Sequence, residues 1–127
     1  MRYVIPIVLA VVGVIHLLPL SGVLGAERLA VLYGLAVDEP NLALLMRHRA
    51  VLFGLLGAFM LYAAVRPAWQ GLALVAGSVS VVSFLALAAL QGGLNPQVTR
   101  VVLADLVALA GLAVGGACHL WQRGAPA

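Results

Sequence analysis

Apolar residues do not alternate along this chain with a strand period; they run in long blocks broken by isolated charges. Uncharged stretches extend from Tyr3 to Ala26, from Ala50 to Val65, from Pro67 to Thr99 and from Leu106 to Gln122. A membrane-spanning helix needs about 20 mainly apolar residues, so these blocks predict four of them. Helix-breaking residues fix their approximate limits. The first span is expected over residues 3–18, stopped by Pro19 and by Ser21 and Gly22. The second is expected over 39–65, opening at Asp38-Glu39-Pro40, where a capping carboxylate and a first-turn proline coincide, and closing at Arg66-Pro67. The third is expected over 68–91, before Gly92-Gly93, and the fourth over 96–121, with Asn95 as cap and Pro96 as its first residue.

Between the first two spans, residues 25–37 form a segment too short to cross a bilayer. Leu29, Leu32, Leu35 and Ala36 recur on one side, with Glu27 and Arg28 off it, which predicts a short interfacial helix. The expected fold is therefore all-α: a single domain over residues 1–122 comprising a four-transmembrane-helix bundle, followed by a disordered tail at 123–127. A competing reading of the first segment is a cleaved signal peptide, because Arg2 precedes an apolar run ending near Gly25-Ala26. Leu24 is a poor residue for such a cleavage site.

Composition agrees with lipid as the main solvent. Of 127 residues, 65% are hydrophobic and 9% charged, against roughly 25% charged in an ordinary soluble domain. The seven cations are all arginine and lie scattered, which gives no basic run for nucleic acid. One cysteine, Cys118, supplies neither an internal disulfide nor a metal-ligand spacing. With four spans both termini share a side, which holds Arg2, Arg66 and Arg123 without an acid. The opposite side balances Arg28, Arg47, Arg49 and Arg100 against Glu27, Asp38, Glu39 and Asp105. The whole net charge of +3 thus falls on the terminal side. The expected location is a bacterial inner (cytoplasmic) membrane, multi-pass, with both termini cytoplasmic.

Helix association in lipid relies on close approach of small residues. Gly111 and Gly115 give a GxxxG spacing on the last span, Gly54 and Ala58 repeat small residues at that spacing on the second, and Gly77, Ser80 and Ser83 roughen the third. Packing within one chain is the preferred use; a homo-oligomer or a partner membrane subunit is the alternative.

Polar groups within the spans carry the functional signal, because an ionised group in hydrocarbon costs at least about 2.5 kcal/mol on insertion scales and seeks a partner or a cavity. Arg47 lies eight residues beyond Glu39 and Asp105 nine beyond Pro96, so at 1.5 Å per residue both reach one level on parallel helices, roughly 12 to 14 Å in. His16, three residues before Pro19 on the first span, approaches the same half. An ion pair is expected between Asp105 and an arginine, Arg49 being the chosen partner. Arg47 and Arg49 point about 200° apart, so only one can face Asp105 squarely. His16, Arg47, His48, Arg49 and Asp105 together form the candidate ligand-binding cluster, for a small anionic or quinone-like molecule: arginine supplies fixed charge and paired donors, and histidine exchanges protons near neutral pH. A binding or accessory subunit is the leading reading. A membrane oxidoreductase or isomerase using that cluster, and a purely structural scaffold with an Arg-Asp clamp, are the alternatives.

No cofactor is predicted. Haem between His16 and His48, or a quinone, is the minor cofactor reading, and His119 sits at the opposite end of the bundle. No spacing for zinc or di-iron ligands, phosphate loop, nucleophile elbow or dinucleotide fingerprint occurs. Tyr33, Trp69 and Trp121 are expected as interfacial anchors, and Met46, Phe53, Phe59 and Met60 as bundle packing.

The runs Leu32-Tyr33-Gly34-Leu35, Asp38-Glu39-Pro40-Asn41 and Leu45-Met46-Arg47-His48-Arg49-Ala50-Val51-Leu52-Phe53-Gly54 resemble small bacterial four-helix integral membrane proteins of uncharacterised function, of the DoxX-like class. The likeness covers nearly the whole chain. It implies the four-helix fold, and for the polar cluster it implies thiosulfate or quinone redox chemistry. Proteins of this kind are sometimes labelled phosphopantetheine adenylyltransferase. That soluble α/β family uses an HxGH motif, whereas His16 here is followed by Leu17-Leu18-Pro19. The four-helix membrane glutathione-dependent enzymes share the size, but their Arg and Asn/Glu-rich motif is not matched by the segment from Arg47 to Phe53.

Overall fold

The structure is a computed structural model and describes residues 1–126. Helix α1 spans Val4–Leu17 and passes without a break into a 3-10 helix, Leu18–Leu24. Pro19 has no N–H to continue the α ladder, and the chain answers by tightening its hydrogen-bond pattern rather than by stopping. The first apolar segment is therefore continuous over Val4–Leu24, longer than the expected span ending at residue 18.

Helix α2 is shorter than the expected 25–37, covering Ala26–Tyr33. A glycine bounds it at each end. Gly25 has φ 141° and Gly34 has φ 65°, conformations that L side chains rarely adopt. Gly34 closes the helix in the left-handed region and diverts the backbone, so Leu35 and Ala36 lie beyond the helix and exposed. The buried face is made by Leu29 and Tyr33 instead.

Helix α3, Pro40–Ala64, starts on Glu39, whose carboxylate accepts hydrogen bonds from the backbone N–H of Asn41 (3.0 Å) and Leu42 (2.8 Å). Helix α4 spans Pro67–Gln91 and α5 spans Pro96–Gly124, so α5 carries Gln122, Arg123 and Gly124 in its last turn where a frayed tail was expected. Of that expected tail, Ala127 lies outside the described residues. The cap of α5 is Asn95, with Oδ1 accepting from the N–H of Val98 at 2.8 Å. Its Nδ2 donates to the carbonyls of Tyr33 (2.8 Å) and Gly34 (3.2 Å), tying the end of α2 to the start of α5.

Among the described residues the fold is all-α, and four helical segments are long and apolar enough to cross a membrane. This is consistent with a small multi-pass integral membrane protein. Helices α1 and α4 each pack against both α3 and α5, while the backbones of α3 and α5 stay apart. The core runs down the α1–α4 diagonal, with Leu9 and Val12 of α1 against Met60 of α3, Val81 of α4 and Leu112 of α5. Close approach depends on missing side chains: a Cβ on Gly57 would stand 2.7 Å from the carbonyl oxygen of Gly13, and one on Gly115 would stand 3.1 Å from both Leu74 and Val8. Gly111 and Gly115 both face α1, so the GxxxG spacing serves packing inside the chain. The outward faces keep large apolar side chains such as Leu44, Leu55, Val75 and Leu87, as suits helices surrounded by lipid.

Candidate functional site

Because α3 and α5 stay apart, polar groups on their facing sides are separated by a gap rather than pressed together. At the end of the bundle that holds α2, this gap widens into a cavity of about 300 Å³. Arg49 and Phe53 line it from α3, Arg100, Ala104 and Asp105 from α5, and His16 from α1. Leu32 and Tyr33 of α2 cover it, with Phe84 of α4 across from them. Most of the lining is apolar, with a few polar groups converging, the usual make-up of a small-molecule site, and the volume lies near the low end of the roughly 300 to 1,000 Å³ common for such sites.

Three of the five expected cluster residues meet here: His16, Arg49 and Asp105. His16 is 2% exposed, and both ring nitrogens are engaged. Nδ1 lies 2.9 Å from the carbonyl oxygen of Val12, which can only accept, so Nδ1 carries a proton. In the neutral ring Nε2 then accepts from the Ser80 hydroxyl at 3.1 Å. The imidazole leans against Phe53 with centroids 5.6 Å apart.

Arg49 does not spend its hydrogen bond on Asp105. Nη1 donates to the Tyr33 hydroxyl at 2.8 Å, and the guanidinium lies over the Phe53 ring at 4.5 Å and near the Tyr33 ring at 5.5 Å. In place of the expected Asp105–Arg49 ion pair stands an Arg49–Tyr33–Phe53 group, in which Tyr33, on the buried face of α2, brings an acceptor hydroxyl to the cation. Asp105 is 9% exposed and makes no hydrogen bond among the described residues. No buried side-chain oxygen or nitrogen is left sealed without a partner, so its carboxylate oxygens are open to the cavity.

The other two residues are elsewhere. Arg47 is exposed, its Nε donating to the carbonyl of Val23 at 2.8 Å, which fastens α3 to the 3-10 helix. His48 is exposed and outside the cavity lining, so it does not face His16 across a common ligand position. The 200° divergence of Arg47 and Arg49 already required one of them to turn away, and Arg49 is the one turned inward.

Tyr33, Phe53 and Arg100 also line the cavity, and Ser80 holds His16; none of them belongs to the expected cluster. Tyr33 was expected as an interfacial anchor, yet it is buried beside Leu29, four residues earlier on the same face of α2. That spacing was readable. Phe84 stands one turn beyond Ser80 on α4, so one face of that helix delivers both, whereas the contact of Ser80 with His16 spans 64 residues and has no local signal. Trp69 and Trp121 do lie on the outer surface. No group of three or more His, Cys, Asp or Glu arranged to hold a metal ion occurs among the described residues.

No protein-family model, curated protein or solved structure matches this chain. The functional reading therefore rests on the chemistry of the cavity.

Proposed function

We propose that the protein is a small membrane binding or accessory subunit whose cavity takes one neutral, lipid-soluble ring compound of the quinone type. The observation that carries this is the pairing of apolar, aromatic walls with polar groups of both signs around one cavity. Phe53 and Phe84 suit a flat ring, while Arg49 and Arg100 can donate to oxygen atoms at its edge and Asp105 can accept from a hydroxyl there. A bare anion suits the cavity less well, since the Asp105 carboxylate shares the space. The DoxX-like resemblance agrees with a quinone-type ligand but does not carry the proposal. We place the protein in a bacterial cytoplasmic membrane with its termini inside, on the strength of Arg2, Arg66 and Arg123 at that end; the cavity then lies in the outer half.

The test uses the full chain in lipid nanodiscs, titrated with a decyl-substituted benzoquinone and with its reduced form under argon. Saturable binding of either is expected, and it is expected to vanish in Ala104→Phe, which fills the cavity from α5. Uptake that is the same for the wild type, the variant and empty nanodiscs would leave the proposal without support.

A further inference from the structure

Asp105 stands out within the cavity because no hydrogen bond reaches its carboxylate among the described residues. The other polar groups at its depth are engaged: His16 through both nitrogens and Arg49 through Tyr33. Arg100 lies one and a half turns nearer the start of α5, exposed at the rim. The residue is nine-tenths buried, yet its carboxylate oxygens stay open to the cavity, so a donor for them can come from whatever the cavity holds. We infer that the cavity selects a ligand carrying a hydroxyl, donated to the Asp105 carboxylate, on an otherwise apolar ring: a phenol-type compound, or the reduced rather than the oxidised form of a quinone-type ring. This deepens the proposed function and rests on it.

Charge narrows the donor to a neutral one. An ammonium would also satisfy the carboxylate, but Arg49 and Arg100 line the same space and cannot lose their charge, so a cationic ligand enters a cavity that is already net positive. A ligand carboxylate would meet Asp105 itself. A neutral hydroxyl escapes both penalties, and its hydrogen bond to a charged acceptor is of the stronger kind. The ring accounts for the rest of the lining, since Phe53 and Phe84 give it aromatic walls and Val101 and Ala104 bring α5 close.

The discriminating probes are para-hexylphenol and its methyl ether, which have nearly the same shape but differ in whether the oxygen can donate. Each is titrated calorimetrically into the full chain in lipid nanodiscs. The phenol is expected to bind the wild type about tenfold tighter than the ether or more, as a hydrogen bond to a charged group implies. In Asp105→Leu that ratio is expected to fall to about one; the two probes' different lipid solubilities cancel in the comparison of variant with wild type. Should Asp105→Leu not fold, Asp105→Asn keeps an acceptor without its charge, and the ratio is expected to drop severalfold. Equal binding of phenol and ether by the wild type, or a preference that survives at full strength in Asp105→Leu, overturns the inference. If both probes still bind saturably and are lost in Ala104→Phe, the proposed function stands while the hydroxyl preference falls. If neither these probes nor the benzoquinone pair binds saturably, both fall together.

Discussion

In the half of the bundle near the termini, Met60 fills the space left by Gly77, and Gly115 lets Leu74 and Val8 close on α5. The buried polar side chain there, Gln70, turns back to donate to the carbonyl of Ala64 on the neighbouring helix (3.4 Å). In the half covered by α2, aromatic and charged side chains line a space between the same helices. Arg49 is held by Tyr33 and His16 by Ser80 and Val12, whereas Asp105 makes no hydrogen bond among the described residues. One end of the molecule gains its stability from contact and the other keeps a space open. A substitution should therefore act through packing at the first end and through hydrogen bonding at the second.

The largest expected effect comes from the small-residue contact on which the packed half depends. Gly57→Val puts a branched side chain where even a Cβ would crowd the backbone of Gly13, so α1 and α3 must separate. The loss should be at least the about 1 to 3 kcal/mol typical of overpacking, seen as a large drop in thermal midpoint in detergent. Retention of the wild-type midpoint would contradict the close approach of those helices.

A smaller effect separates the two polar holders at the open end. Tyr33→Phe removes the acceptor of the Arg49 guanidinium and should cost about 1 kcal/mol, because a half-buried charge loses a hydrogen bond. Asp105→Leu should change stability by less than that, since Asp105 anchors no partner. If Asp105→Leu proves the more destabilising of the two, Arg49 leans on Asp105 after all, and the division between the ends is drawn wrongly.

The smallest effect lies at the rim, outside the apolar spans. The backbone N–H groups of Asn41 and Leu42 hold the Glu39 carboxyl below its ordinary range. A carboxyl with a lowered folded-state pKa contributes stability that is present above the unfolded value and lost as pH falls through the folded one. Wild type should therefore melt slightly above Glu39→Gln at neutral pH, and the difference should shrink only as the solution is acidified beneath the normal glutamate range. A difference that does not vary with pH would remove the cap as its cause.

The helices were legible because their signals are local: proline and a capping side chain mark the starts of α3 and α5, and the apolar blocks between charges supply the lengths. The continuation past Pro19 was less so, since a proline that ends an α ladder can also be absorbed by a 3-10 one. For the site, depth could be read from residue counts, and His16, Arg49 and Asp105 do share a cavity. Rotation about the helix axes could not, which is why Arg47 and His48 were grouped with residues they turn away from. The choice of Tyr33 over Asp105 as partner of Arg49 depends on how α2 docks, a tertiary outcome that no spacing within α3 or α5 encodes.

The Asn95 side chain grips two structures at once, the first turn of α5 through its oxygen and the end of α2 through its nitrogen. Any outward swing of α2 about its bounding glycines must pull on that amide and loosen the opening turn of α5. Any displacement of α2 would therefore register as faster solvent exchange at the Val98 amide, through one side chain that joins the two segments.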